Sequence, residues 1–157
     1  MNMIIPSGSG DENYSSLFIS YSEIADIVRA IKKEAAKLGL EFMWYSPTPL
    51  CMFNPIAEGL GNKSCACCDG LLSVSPSGDV LPCSSYPESV GNLLKEDFRS
   101  IWKSEKARYF TEKRFIPDLC RTCSKKELCA AGCPLYWRKN SYAELEEVLE
   151  KNADFAS

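Results

Sequence analysis

Apolar positions along the first third of the chain recur at helical spacing. Ile24, Ile27, Val28, Ile31, Ala35 and Leu38 fall on one stripe, with charged residues between them, and predict a helix over residues 22–38. Ser20 and Glu23 stand at the spacing of a capping box ahead of it. Lys32, Lys33 and Lys37 come late, where positive charge suits the negative end of a helix, and Gly39 is a natural stop. The short apolar runs NMIIP (2–6) and LEFMWYS (40–46) flank the helix and read as strands. Residues 1–50 are thus expected to form a β-α-β unit with a right-handed crossover. Two strands and one helix bury too little to stand alone, so the unit reads as the last piece of a larger α/β sheet or barrel. The PSGSG stretch lacks the full spacing of a dinucleotide fingerprint and is read as a polar loop.

Beyond Pro47 the periodicity stops, and residues 51–64 are expected to be an irregular linker rich in turn residues. LLSVS (71–75) and VLPC (80–83) flank a Pro-Ser-Gly-Asp turn and predict a β-hairpin with Cys83 on its second strand. Residues 93–110 predict a helix with Leu94, Phe98, Ile101, Trp102 and Tyr109 along one side. A last helix is expected from Ser141, closed by a capping box with Glu144 and carrying Leu145, Val148 and Leu149. The expected class is α+β, a small hairpin plus helices. The expected divisions are 1–50, 51–64, 65–140 and 141–157.

Charge excludes one class of partner and supports no other. A net charge of −3 has no basic signature, so no nucleic-acid partner is expected. No apolar run approaches the roughly 18 residues of a membrane span, and the first residues do not resemble a signal peptide. A cytoplasmic location is expected, where thiols stay reduced. Nine cysteines there point to metal or redox chemistry rather than to a disulfide framework, which the odd count also disfavours.

The chain has no histidine. That excludes Ser-His-Asp and Cys-His catalysis and every mixed Cys/His zinc site. An all-thiolate centre remains, either structural zinc or iron–sulfur. Cys120, Cys123, Cys129 and Cys133 form a C-x2-C-x5-C-x3-C run, with Lys125 and Lys126 inside it to offset the anionic charge. Buried cysteines used as small apolar residues are the plainer alternative, but they do not require four sulfurs at such spacing. Cys65, Cys67, Cys68 and Cys83 form a second group, so two centres are the natural count.

The run CACCDGLLSVSPSGDVLPC resembles the C-x(9–15)-G-x4-C element of the SPASM domain, the auxiliary-cluster domain at the carboxyl end of many radical S-adenosylmethionine enzymes. Gly78 stands at the glycine and Cys83 closes the element, while Cys120, Cys123, Cys129 and Cys133 match the family's second element without a gap. The resemblance covers roughly residues 65–135. Residues 1–50 resemble the end of the partial (β/α)6 TIM-type barrel that precedes this domain. The resemblance implies two 4Fe-4S clusters, one on Cys65, Cys68, Cys83 and Cys133 and one on Cys120, Cys123 and Cys129, with zinc as a substitute. Cys67 is expected to point away. The second set lacks a fourth ligand, because no cysteine follows Cys133. An open iron, a carboxylate or a ligand outside the chain are the alternatives. Cys51 lies outside both motifs and is read as a buried or spare thiol.

The chain has no C-x3-C-x2-C motif, on which such enzymes cleave S-adenosylmethionine. It is therefore not expected to generate a radical alone, and no catalytic residue is assigned. Ser84 follows Cys83 where sulfatase-maturing members carry a catalytic Asp, so that activity is not carried over. The family implies electron transfer or substrate positioning during modification of a substrate, a peptide by default, held by the full-length barrel, with an electron-donor protein as a further partner. The alternative is a structural zinc module that binds a partner protein. Tyr86, Trp102, Tyr136 and Trp137 are candidates to line a cleft, with packing around the sites as their plainer use.

Overall fold

The first helix, α1, runs Tyr21–Lys37, and all four amides of its first turn find acceptors. This closes the account that every helix start leaves open. Tyr21 N–H donates to the Tyr136 hydroxyl at 3.1 Å, and Ser22 N–H to the Glu144 carboxylate at 2.7 Å. Glu23 N–H donates to the Ser20 side chain at 3.3 Å, and Ile24 N–H to the Ser20 carbonyl at 3.2 Å. The capping box of Ser20 and Glu23 is formed as expected. At the other end, Gly39 takes the left-handed φ of +65° that stops the helix. The expected apolar stripe is buried only in its first half. Ile24 and Val28 are buried, while Ile31 and Leu38 are exposed.

This computed structural model describes residue 1 and residues 18–151. The expected strand at 2–6 and the polar loop after it lie outside the described residues. Residues 40–46 do not form a strand. Their backbone is extended only enough for Met1 to bond the Met43 carbonyl at 2.5 Å and the Tyr45 amide at 3.0 Å, the pattern of a single parallel bridge around Trp44. A remnant of a partial barrel is not shown.

The described residues divide into two compact units. One contains α1, the segment up to Cys65, and the chain from Pro117 onward. Its core is Tyr21, Ile24, Val28, Trp44, Phe53, Tyr136, Trp137 and Leu145. Tyr21 stacks on Tyr136 with ring centroids 3.8 Å apart. Tyr136 and Trp137 thus serve as packing residues. The short helices α4 (Lys126–Cys129) and α5 (Pro134–Lys139) lie in this unit, with a 3-10 turn at Asp118–Cys120 before them and α6 (Ala143–Lys151) after them. The expected capping box at Ser141 is not what Glu144 forms. Its carboxylate bonds Ser22 N–H and the Tyr136 hydroxyl, so it caps α1 instead of its own helix.

The other unit is Ala66–Ile116. The expected hairpin forms as β1 (Ser73–Val74) and β2 (Asp79–Leu81), but its second strand ends at Leu81, so Cys83 lies past the strand rather than on it; β3 (Gly91–Asn92) adds a third antiparallel strand in the order β1-β2-β3. Gly78 makes the turn with φ +82°. The single helix expected over 93–110 is two: α2 (Phe98–Trp102) and α3 (Glu105–Thr111). Asp97 caps the first and Ser104 the second, each by side-chain bonds to first-turn amides. The break rotates the second helix, so the buried set is Ile101, Ala107 and Phe110, while Leu94, Phe98 and Tyr109 are exposed. Ile101 packs directly over Gly91, where a Cβ would stand 2.7 Å from its side chain.

Candidate metal centre

The loop from Cys129 to Cys133 is built on three consecutive left-handed residues, Ala130, Ala131 and Gly132, with φ of 48°, 54° and 78°. Left-handed backbone is costly for alanine, and the surroundings hold it in place. Trp137 Nε1–H donates to the Ala131 carbonyl at 2.6 Å, and Cys133 N–H donates to the Tyr21 hydroxyl at 3.2 Å. The Tyr21 O–H in turn donates to the Pro47 carbonyl at 2.9 Å. Burial, and then the neighbouring Cys133 sulfur, push the Tyr21 hydroxyl well above its ordinary value.

One backbone amide from a distant segment reaches a sulfur of this loop. Cys129 Sγ accepts an N–H bond from Leu50 at 3.3 Å, and the nearby Ala131 and Gly132 amides also favour its anion. Such bonds are what orients and tunes a metal-bound thiolate. Without a cation, burial outweighs them and raises the Cys129 thiol. Burial, followed by the charges of Cys129 and Cys123, pushes Cys120 up to about 11. A set of thiols that hold their protons in this way is stabilised as thiolates only when a cation joins them.

A cavity of about 350 Å³ is lined by Cys120, Cys123, Cys129 and also Cys51. Leu145 and Leu149 supply an apolar wall, and Lys125 and Lys126 supply cations. Among the described residues, no three acidic or cysteine side chains converge closely enough to hold one metal ion. A single zinc needs its sulfurs at about 2.3 Å from the ion. Sulfurs standing around a cavity suit a larger inorganic centre better. The donor set fits iron–sulfur chemistry, being all cysteine and no histidine. All nine cysteines are unbridged.

Cys65 and Cys133 lie in the unit of α1, while Cys67, Cys68 and Cys83 lie in the unit of the sheet. In the sheet unit a tight turn closed by Cys68 N–H to Leu71 O at 2.9 Å buries Cys67 and Cys68, and Cys68 takes a φ of +53°. The side chain of Cys67 meets Cys83 there. A hydrogen bond from Cys67, opposed by burial and aided by the Ser85 and Tyr86 amides, brings the Cys83 thiol down to about 6.

Residues 65–124 match the SPASM family model, described as an iron-sulfur cluster-binding domain. Relatives named PqqA peptide cyclase share 26% identity over 138 residues in Xanthomonas axonopodis pv. citri and 29% over 136 in Gluconobacter oxydans, each match covering 80% of this chain. A third, from Rhizobium meliloti, shares 37% over 68 residues, or 40% of this chain and 18% of its own length. The chain spans about a third of the length of the first two, 34% and 35%. No solved structure matches. No described helix is long and apolar enough to cross a membrane.

Proposed function

We propose that this chain is the auxiliary-cluster part of a radical S-adenosylmethionine enzyme that modifies a peptide, carrying two 4Fe-4S clusters for electron transfer or substrate positioning. The observation that carries the proposal is the gathering of Cys120, Cys123 and Cys129 around one cavity, in a chain whose residues 65–124 match the SPASM family model. The printed name of the relatives supports a peptide substrate. The chain carries no C-x3-C-x2-C motif, so its own cysteines serve the auxiliary role rather than cleavage of S-adenosylmethionine.

When bound, such clusters supply one-electron transfer. The chain's residues hold and tune them. Cys120, Cys123 and Cys129 provide thiolates, and the Leu50 amide donates to the Cys129 sulfur, which favours its anion. Leu145 and Leu149 give the cavity an apolar wall, and Lys125 and Lys126 offset its negative charge. A cytoplasmic setting suits thiols that must stay reduced.

Anaerobic reconstitution with iron and sulfide tests the proposal. The expected product is a brown protein with iron and acid-labile sulfide in equal amounts and a 4Fe-4S EPR signal after reduction. A colourless protein that binds zinc tightly and refuses iron would overturn it in favour of the structural zinc module.

A further inference from the structure

A 4Fe-4S centre takes four protein ligands, and the second motif supplies three to its cavity. We propose that Cys51, upstream of both motifs, is the fourth ligand of the centre held by Cys120, Cys123 and Cys129. The inference rests on the reading that this cavity holds an iron–sulfur centre.

Cys51 lines the same cavity as those three cysteines. It is half-buried, and the charges it feels, after burial itself, are those of Cys129, Cys120 and Cys123. Its position is fixed by packing on both sides. Met52 N–H and Phe53 N–H both bond the Pro49 carbonyl at 3.0 Å, which folds residues 49–53 into a turn. Phe53 is buried edge-on against Trp44, with centroids 6.0 Å apart. Pro49 sits so close to Gly132 that a Cβ there would meet its ring at 2.8 Å. Leu50 N–H is already bonded to the Cys129 sulfur, so the residue next to Cys51 is tied to a ligand. A spare thiol would need none of this. A turn clamped against the ligand loop, with a cysteine at its tip and a cavity beyond, is a built ligand position.

Glu150 is the competing donor, since it lines the cavity too. It lies exposed near the end of α6.

The test compares the reconstituted full chain with Cys51→Ser, Cys129→Ser and Glu150→Gln, reading iron content and EPR. Cys51→Ser is expected either to lose about half of the iron or to show the signal of a three-iron cluster, as Cys129→Ser does, while Glu150→Gln matches the wild type. Wild-type iron and EPR in Cys51→Ser, with losses in Cys129→Ser, overturn the inference and leave the cluster reading standing. Iron loss in Glu150→Gln with retention in Cys51→Ser overturns it in favour of the carboxylate. Indifference of both cysteine variants sinks the cluster reading at this cavity, and the inference with it. Alkylation mapping of the unmutated protein is independent of variant folding. Cys51 is expected to be protected together with Cys129 when loaded and to react after chelation. Equal reactivity of Cys51 in both states overturns the inference.

Discussion

The backbone N–H of Leu50 donates to the sulfur of Cys129 at 3.3 Å, across 79 residues of chain. A hydrogen bond to a charged group contributes about 1.5–3 kcal/mol. A donor at a thiolate favours the more negative, reduced state of the centre it holds. Leu50→Pro removes the donor and the side chain, while Leu50→Ala removes only the side chain. The reduction potential in Leu50→Pro is expected to lie below that of Leu50→Ala, read by EPR-monitored redox titration. Equal potentials in the two variants would show that the bond does no electrostatic tuning.

Gly132 is the point where the ligand loop touches the 49–53 turn. Its φ of +78° suits glycine, and a Cβ would stand 2.8 Å from the Pro49 ring and 3.1 Å from the Tyr21 hydroxyl. Backbone and packing penalties act together here, so Gly132→Ala is expected to cost about 1–3 kcal/mol in denaturant unfolding. Ala131→Gly, at φ 54°, relieves a left-handed alanine and is expected to cost little or nothing. A Gly132→Ala midpoint equal to wild type would mean that the two segments do not meet as described.

What could be read in the sequence was what is local. The capping box of Ser20 and Glu23, the turn at Gly78 and the spacing from Cys120 to Cys133 are set by neighbours within a few residues. Asp97 and Ser104 were equally local cap signals, but the apolar run through Trp102 masked the second. Glu144 shows the limit of such signals. It has the spacing to cap its own helix, yet tertiary packing brings it to α1. That Cys51 lines the cavity could not be read from spacing at all. Its place depends on Pro49 docking on a loop some 80 residues later, which only the fold reveals.

Tyr136 carries the start of α1 through its hydroxyl, which accepts from Tyr21 N–H and donates to Glu144. The ring is fully buried. Tyr136→Phe keeps the stacking and leaves the Tyr21 amide without a partner, at an expected cost of about 1–3 kcal/mol. Glu144→Gln keeps an acceptor for Ser22 N–H and is expected to cost less. Thermal unfolding of the two variants checks the order, and the reverse order would remove Tyr136 from this role.

Asp97 is held below the usual carboxylate range, first by the Ser100 hydroxyl and then by the Ser100 and Arg99 amides. A lowered folded value means that its stabilisation is present above the unfolded pKa of about 3.9 and is lost as pH falls through the folded value. Asp97→Asn keeps a capping oxygen that does not titrate. The stability difference between wild type and Asp97→Asn is expected to be constant near neutrality and to shrink on acidification below about pH 4. A difference that stays constant down to the acid transition would count against the shift.

The segment that holds the cavity's cysteines has little packing of its own. The 3-10 turn at Asp118–Cys120 and helix α4 contain no buried residue. Helices this short are not stable in isolation, and the loop after them stores left-handed strain. If these residues hold a centre as proposed, the order of residues 118–133 is expected to depend in part on it, whereas α1 is held by the aromatic core of Tyr21, Tyr136 and Trp137. Removing metal with a chelator is expected to speed amide exchange through 118–133 while α1 stays protected. If exchange across 118–133 were the same with and without metal, the sulfurs would be held by the fold alone, and the inorganic centre would have no structural part in it.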